Sequence, residues 1–118
     1  MTKPMVHPDM ECLAAARAPA GMFGTSIEEQ RKAWTYYSNN LNQPPPNTMK
    51  VWEEIVPGEG FDVPVRIYRP AGAPAAGAPG VVYIHGGGFM KGDLDSSDSV
   101  AWGFAEQASA IVLSLIHI

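Results

Sequence analysis

The chain has 118 residues, 46% apolar and 17% charged, ordinary for a globular core and enough for one small domain. Its formal net charge of −4, with no basic stripe, argues against a nucleic-acid partner. Its single cysteine, Cys12, excludes an internal disulfide and reads as a buried or idle thiol, because no base-bearing motif flanks it.

At the N-terminus, Met1-Thr2-Lys3-Pro4 lacks the apolar core of a secretory signal, and no apolar run approaches the roughly 18 residues of a membrane span. A soluble, cytoplasmic protein without a membrane partner is expected. Met10 to Ala18 can form a short helix among prolines 4, 8 and 19. A stronger signal follows at Ser26 and Glu29, whose spacing fits a capping box, each side chain satisfying the other's orphan backbone donor. The helix it starts is expected to run to about Leu41, with Ile27, Trp34, Tyr37 and Leu41 on one apolar face and Glu28, Arg31 and Lys32 pointing outward. Trp34, Tyr36 and Tyr37 read as core packing. Pro44-Pro45-Pro46 then stiffens into an extended connector, which sets a boundary near residue 46.

Beyond it the period changes from helical to two. Residues 49–56 and 61–69 alternate as half-buried strands, and Pro57-Gly58-Glu59-Gly60 reads as the turn of an antiparallel pair. Pro64 suggests an edge strand, since proline cannot donate to a ladder. A small-residue loop over 70–79 leads to Gly80-Val81-Val82-Tyr83-Ile84, a continuous apolar run of the kind covered on both faces. Then come His85-Gly86-Gly87-Gly88-Phe89, a helix capped by Asp98 or a nearby serine and carrying Val100, Phe104 and Ala108, and a further strand from Ala110. Strand, glycine loop, helix and strand make a βαβ unit of an α/β fold.

Three consecutive glycines are a poor way to build stability, since each loses roughly 0.5–1 kcal/mol relative to alanine in a regular element. They do offer backbone N–H groups with no Cβ in the way, as an oxyanion hole requires. The hairpin, the buried strand, His85-Gly86-Gly87-Gly88-Phe89 and Gly92-Asp93 together resemble the start of an α/β-hydrolase. They are most similar to the hormone-sensitive-lipase-like esterases, which include bacterial acetyl esterases and carboxylesterases. The resemblance spans about residues 49–112, and Val63-Pro64-Val65-Arg66-Ile67-Tyr68-Arg69-Pro70 resembles the family's second strand and its exit.

The resemblance implies a helical cap over residues 1–46 and the first part of the hydrolase core over 47–112, with an antiparallel hairpin leading into a parallel sheet. By resemblance, the amides of Gly87 and Gly88 point at a substrate carbonyl oxygen, Gly86 permits the turn, and His85 supports the loop rather than acting as base. Phe89 either packs beneath the loop or lines the acyl pocket. The implied substrate is a short-chain ester, with no cofactor and no metal; Asp93, Asp95 and Asp98 read as helix caps and dipole partners.

The family's serine, acid and histidine follow this loop in that order, and no G-x-S-x-G occurs in the chain. The nearest approach, Gly24-Thr25-Ser26-Ile27-Glu28, fails at its last position, and His117 has no elbow serine or acid before it. The last six residues, Leu113-Ser114-Leu115-Ile116-His117-Ile118, are one translation of CTGTCTCTTATACACATC, which resembles a transposase-end adapter used for sequencing libraries. Residues 113–118 are therefore expected to be wholly or partly non-native, leaving an open sheet edge at 111–116. The 118 residues alone are expected neither to fold stably nor to hydrolyse esters. A non-catalytic small-molecule receptor on the same fold stands as the alternative, and oligomeric state is not readable.

Overall fold

The computed structural model describes residue 5 and residues 7–116; Met1 to Pro4, read above for a signal, and His117 and Ile118 of the tail lie outside them. A single 3₁₀ turn, Pro8–Met10, opens into helix α1 (Glu11–Arg17), and a second 3₁₀ segment (Ala18–Met22) leads to α2 (Ile27–Leu41). The capping box forms as read: Ser26 Oγ accepts from Glu29 N at 3.2 Å, and Glu29 Oε2 accepts from Ser26 N at 3.1 Å. These contacts hold the Glu29 carboxyl below its ordinary range, the Ser26 side chain first and its amide second. The aromatic face is less buried than the periodicity implied. Trp34 and Tyr36 are exposed, and Ser38 is the buried residue of α2. Cys12 is exposed rather than buried.

The sheet holds β1 (Lys50–Pro57), β2 (Asp62–Arg69), β3 (Gly80–Ile84) and β4 (Ile111–Leu115), in the order β1-β2-β4-β3. β1 and β2 form the expected antiparallel hairpin, from Lys50 opposite Arg69 to Pro57 opposite Asp62. β3 and β4 pair in parallel, and α3 (Asp98–Ala108) links them, so the βαβ unit is real. The chain thus carries a mixed four-stranded sheet with helices against it.

Four expectations about strands need correction. β2 is not an edge strand: β1 lies on one side and β4 on the other, but the β4 ladder begins at Val65, so Pro64 deprives that ladder of no donor. β4 is not the open edge either, because β2 and β3 flank it. Among the described strands the edges are β1 and β3, and the side chains of β3 are not covered on both faces. Successive side chains point to opposite faces; Tyr83 packs toward α3, its ring 6.1 Å from Phe104, while Val82 and Ile84 stand 61% and 68% exposed. β1, expected to be half-buried, is exposed along its length, because β2 is its sole strand partner among the described residues.

The core gathers Met49, Tyr68, Ala101, Ala105 and Val112, with Tyr83 and Trp102 packed against it. α3 presents Ala101 and Ala105 to the sheet and leaves Val100, Phe104 and Ala108 exposed, contrary to the expected face. Two alanines four residues apart let a helix backbone lie close on Tyr68 and Val112, whereas the larger stripe would hold it away. Ser114 Oγ in β4 is buried with no hydrogen-bond partner among the described residues, a burden of about 1–3 kcal/mol. No helix among the described residues is long and apolar enough to cross a membrane.

Candidate functional site

The glycine loop leaves the end of β3 at His85 and turns back over residues 87–91. Gly87 O accepts from Met90 N at 3.2 Å and from Lys91 N at 3.1 Å, which closes the turn. This closure needs a glycine at 87. Its φ is +143°, and a Cβ there would lie 2.1 Å from Lys91 O. Gly88 (φ +61°) and Phe89 (φ +60°) follow in the left-handed region.

His85 Nδ1 lies 2.8 Å from Gly86 O; a carbonyl only accepts, so Nδ1 carries the proton. The ring occupies the space that a side chain at 92 would fill, since a Cβ on Gly92 would come within 2.4 Å of His85 Nδ1. Met90 O accepts from Arg31 Nε at 2.6 Å, although the sequence placed Arg31 on an outward face. The carbonyls of Gly86, Gly87 and Met90 are therefore all engaged within the protein. By contrast, the amides of Gly87 and Gly88 have no acceptor among the described residues. Amides without acceptors beside three engaged carbonyls give a polarity that suits an anion or a developing oxyanion.

Phe89 is 89% exposed, so packing beneath the loop is excluded. Its left-handed backbone swings the ring outward, where it lines a cavity of about 440 Å³ with Arg31, Thr35, Met90, Gly92 and Asp93.

Beyond the loop, Asp93 and Ser96 cap each other: Asp93 Oδ1 accepts from Ser96 N at 2.7 Å, and Ser96 Oγ accepts from Asp93 N at 2.9 Å. Asp93 Oδ2 also accepts from Thr35 Oγ1 at 3.0 Å, tying α2 to the loop's exit. Asp98 sits in the first turn of α3, as read, but Asp95 and Asp98 have a larger part that the sequence did not show. Arg66 on β2 reaches Asp95 at 2.7 Å, Asp98 at 3.1 Å and Glu53 at 2.6 Å, and Tyr68 donates its hydroxyl to Asp98. Burial opposes the Arg66 charge, yet the contacts to Glu53 and Asp95 outweigh it and raise the guanidinium's affinity for its proton. Burial first, and then the Asp98 carboxylate, push the Tyr68 hydroxyl above the ordinary tyrosine range. The signal for this network was the pair Arg66 and Tyr68, two residues apart on one strand face that also carries apolar packing.

No family model matches the chain. Esterase LipI of Mycobacterium tuberculosis is 40% identical over 95 residues, which make up 79% of this chain and 30% of that protein. Ethyl acetate hydrolase of Pseudomonas putida is 40% identical over 58 residues, 48% of this chain and 18% of the relative. Among solved structures, a hyperthermophilic esterase from the archaeon Pyrobaculum calidifontis superposes with a TM-score of 0.78 at 26% identity, covering 98% of this chain and 37% of that one. The chain therefore spans less than a third of the length of these curated relatives. Fold and sequence agree that the chain has a partial α/β-hydrolase fold and that the proteins it is similar to are esterases.

Proposed function

We propose that this chain supplies the oxyanion-hole loop of a cytoplasmic serine carboxylesterase of the hormone-sensitive-lipase-like group, acting on short-chain esters. The observation that carries the reading is the pair of unclaimed amides at Gly87 and Gly88 beside the engaged carbonyls of Gly86, Gly87 and Met90. The name of the Pseudomonas relative, an ethyl acetate hydrolase, supports a small acyl group. An elbow serine, deprotonated by a histidine base, attacks the ester carbonyl carbon, and the carbonyl oxygen takes up the electron pair as a tetrahedral oxyanion. Gly87 N–H and Gly88 N–H donate to that oxygen, each worth about 2.7–4 kcal/mol by analogy with other acyl-transfer enzymes. Collapse expels the alcohol with a proton from the histidine, and water releases the acid from the acyl-enzyme by the same route. His85 holds the loop in shape and Phe89 lines the acyl side of the cavity, whereas Gly86, with no left-handed backbone and open space at its Cβ position, leaves the turn-making role expected of it to Gly87.

The same reading divides the chain into a cap over 1–46, core over 47–112, and a tail from 113 that is wholly or partly foreign. The experiment is to sequence the locus and assay the product of its complete reading frame with p-nitrophenyl acetate. An open frame running through a G-x-S-x-G serine, with turnover above an inactivated control, is expected. A stop codon directly after Ile118, or a full-length protein without turnover, overturns the proposal.

A further inference from the structure

A second cavity, of about 530 Å³, opens between the end of α1, α2 and the exit of the glycine loop. That volume falls in the range of small-molecule sites. Its wall combines Arg17, Gln30, Ala33, Trp34, Tyr37 and Lys91. Trp34 and Tyr37 form a tilted ring pair with centroids 6.1 Å apart, and Lys91 Nζ stands 6.0 Å from the Trp34 ring. The chain has twelve acidic and eight basic residues, yet among the described residues two cations and no carboxylate line the cavity. Among the described residues, neither Arg17 nor Lys91 forms an ion pair. An aromatic wall with unpaired cations at its rim matches one chemical class, a flat ring bearing a carboxylate. The ring packs on Trp34 and Tyr37, and the guanidinium and ammonium receive the negative charge.

The position of Lys91 joins this cavity to the loop, since its backbone N–H donates to Gly87 O within the turn that presents the two free amides. We propose that the cavity binds an aromatic carboxylate as the distal, anionic end of the ester, so that the enzyme prefers substrates carrying a negative charge away from the scissile bond. The role in substrate choice rests on the esterase reading; the binding itself does not.

Both parts are tested on the full-length protein. Equilibrium dialysis measures binding of 4-hydroxybenzoate by the wild type and by an Arg17→Gln/Lys91→Gln variant. Turnover compares 4-acetoxybenzoate with its neutral methyl ester, which shares the acyl group and the leaving oxygen. Saturable binding is expected, weakened about tenfold in the double variant and by a smaller factor in Arg17→Gln alone, where an exposed helix-end side chain changes without threatening the fold. The anionic ester is expected to have a kcat/KM about tenfold above the neutral one, and the ratio should fall towards one in the double variant and in high salt. Absent binding, or binding equal in wild type and variants, overturns the proposal, as does a neutral ester hydrolysed at least as well as the anionic one. If neither ester turns over while 4-hydroxybenzoate binds in a charge-dependent way, the esterase reading fails and the anion site stands.

Discussion

Gly87 and Gly88 are neighbours of one residue type, yet the geometry separates them sharply. Alanine at 87 meets two obstacles. A φ of +143° belongs to a region left almost entirely to glycine, costing of order 1–3 kcal/mol for other residues, and the new Cβ would sit 2.1 Å from Lys91 O. Lys91 O belongs to the backbone of the turn that Gly87 O closes, so relief requires the turn to open. Opening carries both amides away from the oxyanion. Loss of one such donor costs about 2.7–4 kcal/mol, or 10²–10³ in kcat; Gly87→Ala should therefore lower kcat at least a hundredfold with little change in KM. Alanine at 88 meets open space at a φ of +61°. It adds about 1–2 kcal/mol of left-handed strain, borne by the folded state before and during reaction alike, so kcat should stay within tenfold of wild type. Steady-state kinetics on p-nitrophenyl acetate, with circular dichroism to confirm folding, compares the two. A Gly87→Ala enzyme keeping more than a tenth of its kcat, or a Gly88→Ala enzyme damaged as severely, would refute the reasoning.

Arg31 should act as a positioning residue. Arg31→Met removes the 2.6 Å bond to Met90 O and is expected to lower kcat about tenfold with KM nearly unchanged, while Arg31→Lys recovers part of the loss; a shift confined to KM would contradict this. Tyr68 predicts a pH effect of definite sign. Its proton is held more tightly in the folded state than in the unfolded chain, so the associated stability is complete below about pH 10 and is lost as pH rises through the folded value. Tyr68→Phe should cost about 1–2 kcal/mol at neutral pH through the lost bond to Asp98 and should flatten the alkaline decline; urea melts at pH 8 and 10.5 check both, and an unchanged alkaline slope in the variant would count against it.

What the sequence made legible was local chemistry. The Ser26–Glu29 box, the hairpin about residues 58–61 and the βαβ order each depend on residues close in the chain, and each is found. What it hid was decided by partners. The run Gly80–Ile84 has the composition of a covered strand, but cover is a property of neighbours, and Val82 and Ile84 are left largely exposed. On α3 two apolar stripes competed, and hydrophobicity favoured Val100 and Phe104, whereas closeness of approach selects Ala101 and Ala105. Arg66 and the aspartates it holds lie about thirty residues apart, beyond the reach of any spacing rule.

The same distinction explains the site. The glycines announce that backbone amides can be presented, but glycine alone leaves the loop's carbonyls equally free, and a loop offering both polarities would repel an anion as readily as hold one. The sign is set by three acceptor contacts. His85 Nδ1 engages Gly86 O, the amides of Met90 and Lys91 engage Gly87 O, and Arg31 engages Met90 O. Two of these are local and could be anticipated, since His85 adjoins the glycines and the turn closes on itself. The third comes from α2, 59 residues earlier. Helix α2 thus contributes to the polarity of the loop, and Arg31, read as part of an outward-facing surface, engages one of its carbonyls.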